Sequence, residues 1–166
     1  MGEPPGFAEY VAGQRTALVR VAYLLTGDIH SAEDLVQTAL VRVWPRWSRV
    51  VQGTNADAYV RKTMVSAFLT SRRRRWHGEV AAEGIDAADP ADPFAGLDEA
   101  DRMMRYLGCL PPRQRAVVVL RYYADLSEPD VAGLLGCAVG TVKSQSAKAL
   151  GKLRDLMAGA EGLGGA

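Results

Sequence analysis

The sequence is short of everything a covalent or metal-built scaffold needs. Its 166 residues hold two cysteines, Cys109 and Cys137, far apart and with no CxxC pair, and two histidines, His30 and His77. A disulfide framework is excluded and no zinc-ligand cluster is present, so neither a metal nor a cofactor is expected. No apolar run approaches the roughly 18 residues needed to cross a bilayer. The opening MGEPPGFAEY lacks the basic start and apolar stretch of a secretion signal. A cytoplasmic protein in a reducing setting, with no membrane partner, is the expectation. Strand alternation is nowhere sustained, and only residues 117–120 (VVVL) imitate a short strand.

Net charge is scarce too, since 20 Lys and Arg against 19 Asp and Glu leave +1. That sum hides segregation: residues 1–76 carry +5, residues 77–101 carry −8 and residues 102–166 carry +4. A chain that alternates in this way is built as two basic modules around an acidic connector. With 48% hydrophobic and 23% charged residues the composition is that of a globular protein and excludes disorder throughout.

Apolar residues recur at helical spacing from Phe7 to Leu25, and Gly27 can end that helix. Ser31 and Asp34 resemble a capping box for a second helix, whose apolar face runs Ala32, Leu35, Val36, Ala39, Leu40, Val43 and Trp44 until Pro45 stops it. Residues 47–54 read as a loop. A third helix starts near Asn55 or Asp57 and buries Val60, Met64, Ala67 and Phe68. Its other side carries Arg61, Lys62, Ser66 and Thr70, and it ends in the run Arg72, Arg73, Arg74 and Arg75. From His77 to Gly96 the composition turns to Ala, Asp, Glu, Gly and Pro without periodicity, which marks a linker. Helical spacing resumes at Leu97, breaks at Pro111 and Pro112, and returns to about Tyr123. The expectation is an all-α fold of two small helical domains, residues 1–76 and 97–157, joined by a flexible acidic linker over 77–96 and followed by a flexible tail over 158–166.

The most specific signal is LSEPDVAGLLGCAVGTVKSQSAKAL, which splits into a short helix, a tight turn and a longer helix. Ser127 and Asp130 cap the first helix and Pro129 is tolerated in its first turn. A helix-turn-helix needs a small residue mid-helix, a turn residue that tolerates positive φ and an apolar anchor on the second helix. Ala132, Gly136 and Val142 stand at those places. On the second helix Val142, Ser146, Ala149, Leu150 and Leu153 share one face. Thr141, Ser144, Gln145 and Lys148, with Lys143 alongside, form a polar, cationic arc suited to a DNA major groove. A helical hairpin with a solvated basic face explains the charges alone but not the joint match of cap, small residue, turn glycine and anchor. Cys137 in the turn reads as a small buried residue.

These residues together make the chain similar to bacterial RNA polymerase sigma factors of the extracytoplasmic-function (ECF) group, which keep only the second and fourth sigma regions. AEDLVQTALVRVW resembles the core-binding segment of region two, AYVRKTMVSAFLTSRRRR its promoter-melting helix, and LPPRQRAVVVLRYYADLSEPDVAGLLGCAVGTVKSQSAKALGKLR region four. On residues alone the outer face of the second helix reads as solvated surface. The resemblance implies instead that Asp34, Gln37, Thr38, Val41 and Arg42 dock on core RNA polymerase, whose β′ and β subunits are the partners. It implies that Arg61, Lys62, Ser66, Thr70 and Arg73 meet the minus-ten element of promoter DNA, with residues 47–55 gripping a base turned out of the strand. Trp47 itself reads as core. The resemblance further implies that Thr141, Lys143, Ser144, Gln145 and Lys148 read the minus-thirty-five element, that the acidic connector threads the polymerase interior, and it leaves a place for an anti-sigma factor. Many members carry an acid at Thr38, Asn at Ser66 and Arg at Gln145, so promoter sequence does not transfer. A stand-alone helix-turn-helix regulator leaves the basic third helix unexplained. An enzyme acting on nucleic acid needs an organised carboxylate cluster, and here the acids collect in the connector.

Overall fold

A computed structural model of the chain describes residues 2–53, 55–78 and 99–164, without the side chains of residues 73–78, 99–100 and 160–164. The acidic connector therefore lies outside the described residues from position 79 on. Among the described residues the structure holds eight α-helices and no strand, in keeping with the all-α expectation.

Helix α1 (Phe7–Thr26) is ended by Gly27, whose φ of +80° lets its N–H turn back to the Tyr23 carbonyl at 2.7 Å. Helix α2 (Ile29–Val43) begins earlier than the Ser31 and Asp34 spacing implies. Asp28 is the cap, and its carboxylate accepts from the Ser31 backbone N–H at 2.8 Å and the Ser31 hydroxyl at 2.9 Å. Ser31 is thus the residue being capped, because an extended Asp directly after the glycine reaches the orphan N–H first. Those hydrogen bonds hold the Asp28 carboxyl below the usual carboxylate range. The folded pKa is the lower one, so the cap stabilises α2 above the ordinary value and is lost as pH falls through the lowered one. Asp28→Asn keeps an acceptor, so its thermal midpoint should fall less than that of the native chain between pH 7 and pH 3.

Pro45 ends α2 as expected, but residues 47–54 do not form a loop. Pro45 sits in the first turn of a 3-10 segment (Trp44–Arg46) that leads directly into α3 (Trp47–Gln52), a place where its missing N–H costs nothing. The redirected backbone turns Trp44 outward, 42% exposed, whereas the sequence pattern put it on the buried face. Trp47 is buried, donates its indole N–H to the Pro5 carbonyl at 3.0 Å and packs against Phe7 and Tyr10. Helix α4 (Ala56–Gly78) starts where expected, with Asn55 Oδ1 accepting from the Ala58 N–H at 3.0 Å, and buries Val60, Met64, Ala67 and Phe68.

After α5 (Glu99–Gly108), α6 (Pro112–Val118) runs into a π-helical turn (Val119–Tyr123). The wider turn keeps Val119 and Leu120 buried while Tyr122 and Tyr123 face outward. Asp125 follows in the left-handed region, φ +58°, which Asp tolerates better than most side chains. Helix α7 (Glu128–Leu135) is capped by Ser127, whose hydroxyl accepts from the Asp130 N–H at 3.2 Å, and Gly136 at φ +66° makes the turn into α8 (Val139–Gly164). Residues 158–164, expected as a flexible tail, continue that helix. Once Leu153 is packed, each further residue only propagates an existing helix, which is cheap compared with nucleating one.

The two halves do not stand apart. Val117, Leu120, Val131, Leu135 and Val142 lie in one buried cluster with Leu18, Leu25, Val36 and Met64. A smaller cluster of Leu107, Leu110, Val118, Ala149 and Leu153 joins α5, α6 and α8. Halves of some 60 to 75 residues bury too little apolar surface to be secure alone, and packing on one another supplies more.

Candidate nucleic-acid interface

Three exposed faces carry the residues singled out in the sequence. On α2, the alternation that buries Ala32, Leu35, Val36, Ala39, Leu40 and Val43 leaves Asp34, Gln37, Thr38, Val41 and Arg42 exposed on the opposite side. Val41 is 58% exposed, and with Trp44 one turn further on it makes an apolar patch within a polar strip. Asp34, Thr38 and Arg42 also border a cleft whose other wall is Thr70, Ser71 and Arg72 of α4.

On α4, Lys62, Ser66 and Thr70 are exposed at successive four-residue steps and so form one line along the helix. Arg61 is not part of that line. Its Nε donates to Asp57 Oδ2 at 2.8 Å, and the other Asp57 oxygen accepts from the Tyr10 hydroxyl at 2.8 Å. Burial and the Asp57 hydrogen bond push the Tyr10 phenol far above its usual range, so it stays the donor. Asp57 thus ties α4 to α1, and Arg61, with 17% of its side chain exposed, is held against that carboxylate. Arg72, first of the arginine run, turns inward over the Phe68 ring, 5.6 Å from its centre, and donates to the Thr26 carbonyl at 3.4 Å. The side chain of Arg73 lies outside the described residues, as do those of Arg74 and Arg75.

With Trp47 buried, a base turned out of the strand has to be met by other groups. Arg46, Arg49, Asn55 and Tyr59 are exposed and line a groove that continues to Lys62. Sequence reasoning missed Arg46, Arg49 and Tyr59, although two arginines one turn apart beside a core tryptophan are a readable sign of a cationic edge.

On α8, Val142 and Ala149 are fully buried and Leu153 nearly so, which fixes the opposite arc outward. Lys143, Ser144 and Lys148 are exposed, while Thr141 and Gln145 are half-buried at its margins. Ser146 lies within hydrogen-bond distance of the Tyr122 hydroxyl, 3.3 Å, so it fastens α8 to the π turn. Among the described residues no cluster of His, Cys, Asp and Glu could hold a metal, and no helix is long and apolar enough to cross a membrane.

Comparison with known proteins matches both halves. Residues 12–78 match the family model for sigma-70 region 2 and residues 100–153 that for sigma-70, region 4. The chain is 39% identical over 154 residues to the RNA polymerase sigma-E factor of Streptomyces avermitilis, covering 93% of this chain and 86% of that protein. It is 40% identical over 159 residues to the sigma-E factor of Streptomyces coelicolor, covering 93% and 88%. Its fold is similar to that of the sigma factor RpoE of Bartonella quintana, solved in complex with the anti-sigma factor NepR. The TM-score is 0.72 at 26% identity, over 93% of this chain and 98% of that one. Matches to both regions in one chain set aside the stand-alone regulator, in which only the helix-turn-helix half would be accounted for. The chain therefore belongs to the sigma-70 family of RNA polymerase sigma factors, within its extracytoplasmic-function group.

Proposed function

We propose that the outer face of α2 docks on core RNA polymerase, that Lys62, Ser66 and Thr70 of α4 with the groove beside them hold the minus-ten strand, and that Lys143, Ser144 and Lys148 of α8 enter the minus-thirty-five major groove. Thr141 and Gln145 flank that last contact. Arg61 acts as a brace, and Arg73 belongs to the minus-ten end of α4. The protein works in the cytoplasm, where polymerase and promoter are, and has no catalytic chemistry of its own. Residues 1–76 act as the polymerase and minus-ten module and residues 97–157 as the minus-thirty-five module. The relative solved with NepR supports an anti-sigma partner here as well.

The observation that carries this reading is the exposed apolar patch of Val41 and Trp44 within the polar strip of α2. Apolar surface held outward by an otherwise well-packed helix marks a protein interface, and Trp is among the residue types enriched where binding energy concentrates. Val41→Glu should weaken association with core polymerase about tenfold or more, by setting a charge in an apolar contact, while leaving the thermal midpoint nearly unchanged because Val41 is 58% exposed and outside the buried core. Undiminished co-elution would remove α2 from the interface.

A further inference from the structure

The groove beside α4 that is to hold a polyanionic strand has a carboxylate built into it. Its wall over residues 46–62 carries four cations, Arg46, Arg49, Arg61 and Lys62, and one acid, Asp57. Asp57 stands in the first turn of α4, where the helix dipole favours an acid. The helix start and the DNA strand therefore make opposite demands on the same position, because a bare carboxylate there repels the phosphates that the cations attract.

The fold meets both demands by tying the carboxylate down. Both of its oxygens are engaged: Oδ1 accepts from the Tyr10 hydroxyl and Oδ2 from Arg61 Nε, each at 2.8 Å. Arg61 lies one turn along the same helix, so α4 supplies that partner locally. Tyr10 comes from α1, 47 positions away in sequence. Its ring packs on the buried Trp47 with 5.1 Å between centres, so the hydroxyl is delivered from a fixed place. Burial first, and then the Asp57 hydrogen bond, hold the phenol well above its ordinary range, and it stays a neutral donor at physiological pH. A hydrogen bond to a charged acceptor is roughly twice as strong as one between neutral groups. Packing accounts for the ring but not for the hydroxyl, since phenylalanine would fill the same space against Trp47.

We propose that Tyr10 is a positioning residue of the minus-ten groove, whose hydroxyl, together with Arg61, holds the Asp57 carboxylate toward α1 and away from the incoming strand. The inference rests on the minus-ten role proposed above. Tyr10 itself touches no DNA and acts through Asp57. Without the hydroxyl the carboxylate keeps Arg61 but loses the bond that draws it to α1. The Asp57 side chain is 36% exposed, so it has room to turn into the groove, and Arg61, fastened to it, is redirected as well.

Tyr10→Phe removes only the hydroxyl. Holoenzyme reconstituted from core RNA polymerase and the full chain is titrated with a single-stranded oligonucleotide that carries the minus-ten segment of a promoter the native holoenzyme transcribes. Tyr10→Phe should bind it about threefold or more weakly at low salt, and the deficit should shrink as salt screens the released carboxylate. The circular dichroism should not change. In an Asp57→Asn background the same substitution should alter affinity little, because no charge remains to be held back. Asp57→Asn alone should bind at least as tightly as the native chain. Native affinity in Tyr10→Phe, an equal deficit in the Asp57→Asn background, or weaker binding by Asp57→Asn overturns the positioning role. Should Tyr10→Phe lose helical signal, the Asp57→Asn affinity decides alone. A native holoenzyme that transcribes promoters but does not bind the single strand overturns the proposed minus-ten role instead.

Discussion

Changing Lys143 and Lys148 together to Ala should flatten the salt dependence of promoter binding by up to ~1.8 log units per log unit of salt. Each lysine that neutralises a phosphate releases condensed counterions, at about 0.9 per phosphate on duplex DNA. Between 50 and 200 mM salt the native chain should then lose about tenfold more affinity than the variant. Both side chains are exposed on α8 and neither forms an ion pair among the described residues, so the substitutions remove charge without unpacking the helix. The buried face of Val142, Ala149 and Leu153 stays intact, and the circular dichroism should not change. Filter-binding titrations across salt concentrations read the slope directly. An unchanged slope takes both residues off the phosphate backbone.

Trp47→Ala should destabilise the fold by about 3–5 kcal/mol, the range for truncating a buried aromatic side chain. The indole is 3% exposed, stacks edge-on with Phe7 at 5.3 Å and packs on Tyr10 at 5.1 Å. Its N–H is also the tie that holds Pro5, and with it the approach to α1. For a chain of this length such a loss lowers the thermal midpoint by about 10 °C or more. A shift of only a degree or two would mean that Trp47 is available at the surface, as a stacking platform needs to be, and would contradict its reading as core.

The helix-turn-helix was legible in the sequence because its parts are local. Ser127, Ala132, Gly136 and Val142 each satisfy a requirement set within a turn or two of the chain, and the structure places a cap, a helix crossing, a positive φ and a buried anchor at those positions. The outward faces of α2, α4 and α8 were legible for the same reason, since the 3.6-residue period that buries one side exposes the other. What stayed hidden depends on neighbours distant in sequence or on small backbone deviations. Arg61 looks like a free cation until Asp57 is held in place by Tyr10, 47 residues away. Trp44 continues the apolar pattern of α2, and only the tightened turn at Pro45 carries it outward. The π turn inserts a residue that no period anticipates, and so exposes Tyr122 and Tyr123. Arg115 is the furthest out of reach: in a run of LPPRQRAVVVL it reads as one more surface charge, and its burial exists only because the two halves meet.

Run-off transcription by core RNA polymerase reconstituted with the purified chain, over a library of promoter fragments, tests the central assignment most directly. Promoter-specific transcripts that require the chain, and that disappear when Lys143 and Lys148 are replaced, are the expected result. Absence of any chain-dependent transcript, together with absence of co-elution with core polymerase, would contradict it.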